Sequence, residues 1–224
     1  MNKEIEEMKN RLIEAYHSSR NEEQAFQMSA YMKNQFPFLG TKKPQRTVLQ
    51  KQFIKQSRKN KIADWEFIFQ LWELPEREFQ YLAQDILIAL AGELRETDID
   101  NVEHLIITRS WWDTVDALAS NVVGKMCLNH STLKESTIPV WSKSNNMWLS
   151  RAAILFQLKY KEETDTDLLR KVILDNTGSD EFFINKAIGW ALRQYSKTDD
   201  QWVKDFIEHH ELHPLSIREG SKYL

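Results

Sequence analysis

Residues 184–195 read INKAIGWALRQY, and apolar side chains recur at the third, fourth, seventh, eighth and eleventh positions after Ile184. Positions with this spacing share one face of an α-helix, which has 3.6 residues per turn. The pattern therefore predicts an amphipathic helix over 181–197 that packs its apolar face against other helices.

The same helical periodicity recurs along the whole chain. The predicted helices occupy 2–18, 22–35, 45–59, 64–73, 76–91, 98–108, 111–129, 133–143, 147–160, 165–177, 181–197 and 199–210. The 224 residues include only six glycines and five prolines, and no Asn-Gly or Asp-Gly pair, so the turn residues of hairpin-rich β folds are scarce. Helix pairs repeat at roughly 35–45 residues, which favours an all-α fold, an α-solenoid of HEAT-like antiparallel helix pairs, as a single domain over 1–224. An ordinary globular helical bundle is the alternative.

Composition restricts the class of protein. Hydrophobic residues make up 42% of the chain and charged residues 28%, which excludes a disordered chain. Cys127 is the single cysteine, so no disulfide can form within the chain. The charged residues 1–7 lack the apolar core of a signal sequence, and no run of about 18 apolar residues predicts a membrane span. We therefore expect a cytoplasmic location without a membrane partner.

Charge is distributed unevenly along the chain. The net charge is −3, yet no acidic residue occurs within 24–63. On the predicted helix over 45–59, Lys51, Lys55 and Arg58 repeat at helical spacing although like charges there repel one another. Contact with nucleic-acid phosphates explains this pattern, and a solvated lysine-rich face is the alternative. The candidate phosphate contacts in this stretch are Lys42, Lys43, Arg46, Lys51, Lys55 and Arg58.

Residues 110–116 read SWWDTVD and begin a predicted helix. Ser110 and Asp113 have the spacing of a capping box, which predicts a structural role for Asp113 at the helix start. Asp116 lies at the border of the apolar face, one turn after Trp112. An aromatic ring beside a carboxylate suits a cationic ligand. A core tryptophan with a solvent-facing aspartate is the alternative.

Two further side chains are unusual for their helices. Trp190 stands among cations, including Lys186 and Arg193, on the side opposite the apolar face, and nucleic-acid sites combine aromatic rings with cations in this way. The alternative is that another helix covers this ring. Arg151 interrupts an otherwise apolar helix over 147–160, so its guanidinium needs an acceptor, either a carboxylate or a phosphate.

No metal site is predicted. The run HHELH at 209–213 is not the His-Glu-x-x-His zinc pattern, because a single residue separates Glu211 from His213. No other cluster with metal-ligand spacing accompanies it. The sequence therefore predicts neither a metal nor a cofactor.

Five segments, in order along the chain, carry a resemblance to a known family. They are YMKNQFPFLG at 31–40, LWELPEREF at 71–79, SWWDTVD at 110–116, WLSRAAILFQLKY at 148–160 and KAIGWALR at 186–193. In these segments the chain resembles the AlkD family of bacterial DNA alkylation-repair glycosylases. The resemblance implies a HEAT-like α-solenoid with double-stranded DNA on its concave face, and we expect a monomer in the bacterial cytosol. It also implies excision of cationic N3- and N7-alkylated purines, such as 3-methyladenine and 7-methylguanine, without base flipping.

The resemblance also implies roles for individual residues. Asp116 corresponds to the essential catalytic aspartate. Lys186 and Arg193 join the candidate phosphate contacts. A non-catalytic HEAT-like module that binds damaged or branched DNA is the alternative function, and the acid-free basic stretch argues against a protein scaffold. The residues expected to contact the DNA backbone at the lesion are Trp112, Trp190, Arg151 and Tyr31.

Overall fold

The computed structural model describes residues 3–224, which form α-helices joined by short connections. No β-strand occurs in this described range. Contacts divide the chain into two compact units, with the boundary between Leu94 and Arg95. The first unit contains α1 (Lys3–Ser18), α2 (Glu22–Tyr31), α3 (Lys43–Asn60), α4 (Trp65–Glu73) and α5 (Arg77–Leu90). The second contains α6 (Ile99–Ile107), α7 (Trp112–Ala117), α8 (Gly124–Asn129), α9 (Thr132–Ser136), α10 (Ile138–Ser142), α11 (Met147–Leu155), α12 (Thr166–Leu174), α13 (Phe182–Tyr195), α14 (Asp200–His209) and α15 (Pro214–Gly220).

The all-α prediction is confirmed, and most predicted helices begin and end within a few residues of their expected bounds. The predicted helix over 2–18 corresponds to α1, and residue 2 lies outside the described range. The second helix ends at Tyr31 and not at residue 35, because Lys33 and Asn34 adopt left-handed backbone conformations with φ of 56° and 57°. A left-handed residue cannot continue a right-handed helix.

Four departures from prediction affect the second unit. The helix predicted over 133–143 is divided into α9 and α10, and Pro139 lies in the first turn of α10. The helix predicted over 111–129 is continuous, but its middle portion, Leu118–Val123, is π-helical. The helix predicted over 147–160 ends at Leu155. Helix α15 was not predicted, because its seven residues are too few for helical periodicity to be recognised.

In the first unit, α3 packs against both α1 and α5. Its buried residues are Arg46, Gln50 and Phe53, which recur at helical spacing on one face. The loop that leads into α3 is held by Glu78, whose buried carboxylate accepts three backbone hydrogen bonds of 2.8 to 3.0 Å. This arrangement leaves the lysine-rich face of α3 exposed.

In the second unit, α11 packs against α6, α7, α10 and α13, and every residue from Leu149 to Leu155 is buried. Helix α13 also packs against α14 and α15. Extensive contacts between helices that are close in sequence are typical of an α-solenoid. Across residues 3–224, no helix combines the length and apolarity needed to cross a membrane. The prediction of a single domain over the whole chain stays a prediction.

Candidate active site

The second unit contains a buried ion pair between Asp116 of α7 and Arg151 of α11. Arg151 Nε donates to Asp116 Oδ1 at 2.6 Å, and Arg151 Nη2 donates to Asp116 Oδ2 at 2.8 Å. Asp116 is 8% exposed and Arg151 is 4% exposed. The remaining guanidinium nitrogen, Nη1, donates to the backbone carbonyl of Phe183 in α13. Of the two acceptors considered for this guanidinium, the structure supplies the carboxylate.

An aromatic cluster lies beside the ion pair. The ring centroid of Phe183 lies 5.1 Å from that of Trp111 and 5.2 Å from that of Trp148. The Arg151 guanidinium carbon lies 5.8 Å from the Phe183 centroid. Rings packed at these distances restrict the orientation of the guanidinium. Sequence reasoning missed these three residues, because no local pattern links positions 111, 148 and 183.

Two opposing influences act on the pKa of the Asp116 carboxyl. Burial is the larger one and raises the pKa of the Asp116 carboxyl above its ordinary value. The hydrogen bonds and charge of Arg151 lower that pKa, and the nearby charge of Asp113 raises it. Arg151 is therefore the group that stabilises the ionised carboxylate at this depth.

The π-helical segment Leu118–Val123 begins two residues after Asp116. Within it, the Ser120 hydroxyl donates to the Asp116 carbonyl at 2.8 Å, and the Asn121 amide donates to the Ala117 carbonyl at 2.8 Å. Side chains that bond to backbone carbonyls one turn earlier compete with the regular helix pattern. Short π-helical segments occur frequently at functional sites. The adjacent Ser-Asn pair is the sequence signal that accompanies this irregularity.

A cavity of about 340 Å³ opens onto the ion pair. It brings together residues from α7, α11, α13 and α15, all of the second unit. Trp112 and Trp190, predicted to line one site with Asp116, do line the same cavity. Trp190 is half-buried, so it is less exposed than its helix alone predicted. The lining residues are Trp112, Asp116, Arg151, Phe182, Phe183, Lys186, Trp190, Arg193 and Glu219.

Glu219 of α15 was not predicted, and it changes the interpretation of two predicted phosphate contacts. Its carboxylate lies 3.1 Å from Lys186 Nζ and 3.0 Å from Arg193 Nη1, and a third cation, Lys222, is 2.7 Å away. Hydrogen bonds from Lys222 and Lys186 lower the pKa of Glu219 to about 2 although burial opposes this. Lys186 and Arg193 are therefore paired with a carboxylate in a partly exposed cluster that borders the cavity, and their predicted phosphate contacts stay predictions. Pro214 at the first turn of α15, capped by the His213 side chain, is the sequence signal that marks this helix.

One prediction from a local pattern is wrong, and one predicted cation lies in a more buried environment than expected. Ser110 does not cap α7, because its hydroxyl donates to the Ile106 carbonyl at 2.6 Å and the helix begins at Trp112. Arg46 is 7% exposed, and its guanidinium carbon lies 4.4 Å from the ring centroid of Tyr81, because helical register places Arg46 on the buried face of α3. Its predicted phosphate contact stays a prediction.

The other predicted cations of the first unit are exposed. Lys43, Lys51, Lys55 and Arg58 line a groove of about 540 Å³ between α3 and α5, which also contains the acidic Asp85. Lys42 is exposed immediately before α3. The basic face predicted from the sequence is therefore present on the surface of the first unit.

Tyr31 also belongs to the first unit. It is 71% exposed at the end of α2 and borders a cavity of about 190 Å³ together with Met28, Phe38 and Tyr81. Its predicted role at the lesion stays a prediction.

The histidine run near the end of the chain takes part in local backbone contacts. His209 Nδ1 lies 2.7 Å from the Asp205 carbonyl, and His210 Nδ1 lies 2.8 Å from the Phe206 carbonyl. Within the described part of the chain, no three His, Cys, Asp or Glu side chains are grouped to hold a metal ion.

Residues 12–224 match the family model described as DNA alkylation repair enzyme. A solved structure titled "Predicted DNA alkylation repair enzyme from Enterococcus faecalis" is 39% identical and superposes with a TM-score of 0.85. That similarity covers 92% of this chain and 97% of the other. No curated protein sequence matches the chain.

Proposed function

The chain belongs to the DNA alkylation repair enzyme family, and from this premise we propose that it is a monofunctional DNA glycosylase. Its substrate is double-stranded DNA that carries cationic N3- or N7-alkylated purines, and its reaction is hydrolysis of the glycosidic bond. The observation that supports this proposal is the Asp116 carboxylate, which is held by Arg151 at a cavity that Trp112 and Trp190 also line.

The proposed reaction begins with the positive charge of the alkylated purine. Alkylation at N3 or N7 makes the purine cationic, so the bond from C1′ to the base nitrogen breaks with its electron pair leaving on a neutral base. The sugar becomes an oxocarbenium-like cation, which a nearby carboxylate stabilises electrostatically. Water then adds its oxygen to C1′ and loses a proton, leaving an abasic site. Asp116 is the carboxylate that we assign to this role and to orienting the water.

Arg151 then acts on the reaction through Asp116. All three guanidinium nitrogens donate within the protein, two to the Asp116 carboxylate and one to the Phe183 carbonyl. We assign Arg151 to holding the carboxylate ionised and oriented, in addition to the DNA contact that the family resemblance implies. Preorganised charges of this kind need no rearrangement when the transition state forms.

We assign the two tryptophans and the nearby cations to contacts with the sugar and the phosphates of the damaged nucleotide. Trp112 and Trp190 supply ring faces on the cavity wall, and such faces attract a cationic sugar. Lys186 and Arg193 lie beside Trp190 and supply positive charge for phosphates. We propose that this cavity holds the sugar and phosphates at the lesion while the damaged base stays stacked in the duplex.

Base release is the direct test. The wild-type protein is expected to release free 7-methylguanine or 3-methyladenine from methylated duplex DNA, and chromatography of the supernatant measures it. No metal is added in one series, and a chelator is present in a parallel one, with equal release expected. If the protein binds methylated DNA but releases neither base, the chain is instead a non-catalytic module that recognises damaged DNA.

The basic face of α3 yields a separate prediction about binding. Lys51→Ala combined with Lys55→Ala removes two exposed cations that line the groove of the first unit. We expect weaker DNA binding and a salt dependence whose slope, log Kd against log salt, falls by about 1.8, since each phosphate contact contributes about 0.9. Fluorescence anisotropy over a salt series measures the slope.

A matched control is Lys171→Ala combined with Lys204→Ala, which makes the same change of net charge at exposed positions of α12 and α14. This pair is expected to leave the slope nearly unchanged. Equal slopes for the α3 double variant and the wild type would exclude α3 from the interface.

A further inference from the structure

Helix α15, near the end of the described chain, contributes Glu219 to the wall of the candidate active site. This helix packs closely on α13 at Gly189, where an added Cβ would lie 2.5 Å from the Cβ of Glu219 and 3.0 Å from the Ser216 carbonyl oxygen. The Ser216 hydroxyl also donates to the Asn185 carbonyl at 3.0 Å. The approach brings Glu219 against α13 at Gly189, the residue that precedes Trp190 in the sequence.

The cations that meet Glu219 lie on both sides of that tryptophan. Lys186, Trp190 and Arg193 are spaced by four and three residues, so they follow one face of α13. Glu219 Oε1 pairs with Lys186 and Glu219 Oε2 pairs with Arg193. One buried carboxylate thus bridges the two cations that flank Trp190 on this face of α13.

We infer that Glu219 is a positioning residue that holds Lys186 and Arg193 on either side of Trp190 for the phosphates that flank the damaged nucleotide. The inference rests on the proposed function, and it assigns a role to a residue that makes no direct contact with the reacting atoms.

Charge balance supports a role beyond stabilising the fold. Glu219 has one negative charge, and three cations contact it, namely Lys186, Arg193 and Lys222. The cluster therefore has a net charge of +2, obtained from three positive charges and one negative charge. A carboxylate that only needed neutralisation would be satisfied by one partner. Lys186 and Arg193 line the cavity with Glu219 whereas Lys222 does not, so these groups leave a surplus of one positive charge at the cavity wall. This charge attracts an anion such as a phosphate.

Glu219→Gln distinguishes positioning from simple electrostatics by the sign of its effect. The change removes a negative charge beside the cavity, so electrostatics alone predicts tighter DNA binding and unchanged or faster base release. Positioning predicts that release of 7-methylguanine in single turnover falls by at least about tenfold, because misplaced contacts weaken the transition state. It also predicts a smaller ratio of affinities for an abasic-analogue duplex over an undamaged duplex. Glu208→Gln, at an exposed position of α14, is the control with the same change in charge.

Wild-type release and an unchanged affinity ratio in Glu219→Gln would overturn the positioning role of Glu219 while the proposed function stands. If the wild type itself releases no base, the proposed function fails, and the affinity ratio still tests Glu219. Thermal melting reports whether the variant folds, and if it does not, Lys186→Met is used, since positioning requires at least a comparable loss of release there. The double variant Glu219→Gln with Lys186→Met is expected to lose less base release than the two single effects combined, when each loss is expressed as an activation free energy. The reason is that the two residues act together.

Discussion

Asp116→Asn is expected to lower the rate of base release by about 10³-fold, the largest effect of any single substitution in this protein. The amide keeps nearly the same shape but removes the negative charge that faces the sugar cation in the proposed transition state. Loss of one preorganised electrostatic contact typically costs 10²- to 10³-fold in rate. Single-turnover release of 7-methylguanine, with enzyme in excess over DNA, measures the chemical step.

The neighbouring aspartate supplies the control. Asp113 lies one turn before Asp116 on the same helical run and does not line the cavity. Asp113→Asn makes the same chemical change, and we expect it to retain most of the rate. Both variants should bind undamaged DNA at least as tightly as the wild type, because each loses a negative charge. If Asp113→Asn abolishes release while Asp116→Asn keeps it, the catalytic role belongs to Asp113.

The parts of the site that could be predicted from the sequence are those whose residues lie close together along the chain. Trp112 and Asp116 are one helical turn apart, so periodicity alone identifies them as neighbours. Arg151 is 35 residues from Asp116, and its apolar surroundings showed only that it needs an acceptor. The choice between a carboxylate and a phosphate is made by the packing of α7 against α11, which no local pattern specifies.

Differences between prediction and structure have equally physical reasons. Composition places Arg46 among the candidate phosphate contacts, although its spacing to Gln50 and Phe53 places it on the buried face of α3. Helical spacing was therefore a better indicator of its environment than charge. Glu219 lies on a helix of seven residues, so its position relative to Trp190 follows from tertiary packing alone. The all-α fold was predictable because amphipathic periodicity repeats along most of the chain.

Arg151→Met is expected to lower the free energy of unfolding by about 3 to 5 kcal/mol at pH 8, because it leaves the buried Asp116 carboxylate without its cation. Methionine has a similar length and fills most of the space, so the loss reports charge more than packing. Chemical denaturation measures the change. The control is Arg11→Met, which removes a surface ion pair of 3.7 Å to Glu7 and is expected to cost at most about 1 kcal/mol.

The double variant Arg151→Met with Asp116→Asn separates charge from packing. It contains no buried charge at this position, so we expect it to be more stable than Arg151→Met alone, although it cannot release base. Thermodynamic coupling between the two substitutions measures the interaction of the pair. Additive losses would show that the two side chains contribute independently.

The pH dependence of Arg151→Met follows from the direction of the Asp116 pKa. Burial raises this pKa, and without Arg151 the opposing influence is absent, so the folded-state pKa lies further above the unfolded value of about 3.9. A carboxyl with a raised folded-state pKa destabilises the fold in full above that pKa, and the penalty shrinks as the pH falls below it and is gone only below the unfolded-state pKa. The stability difference between Arg151→Met and the wild type should therefore shrink between pH 8 and pH 5. A constant difference over this range would mean that the guanidinium contributes through packing, and that the Asp116 carboxylate does not depend on it for its charge.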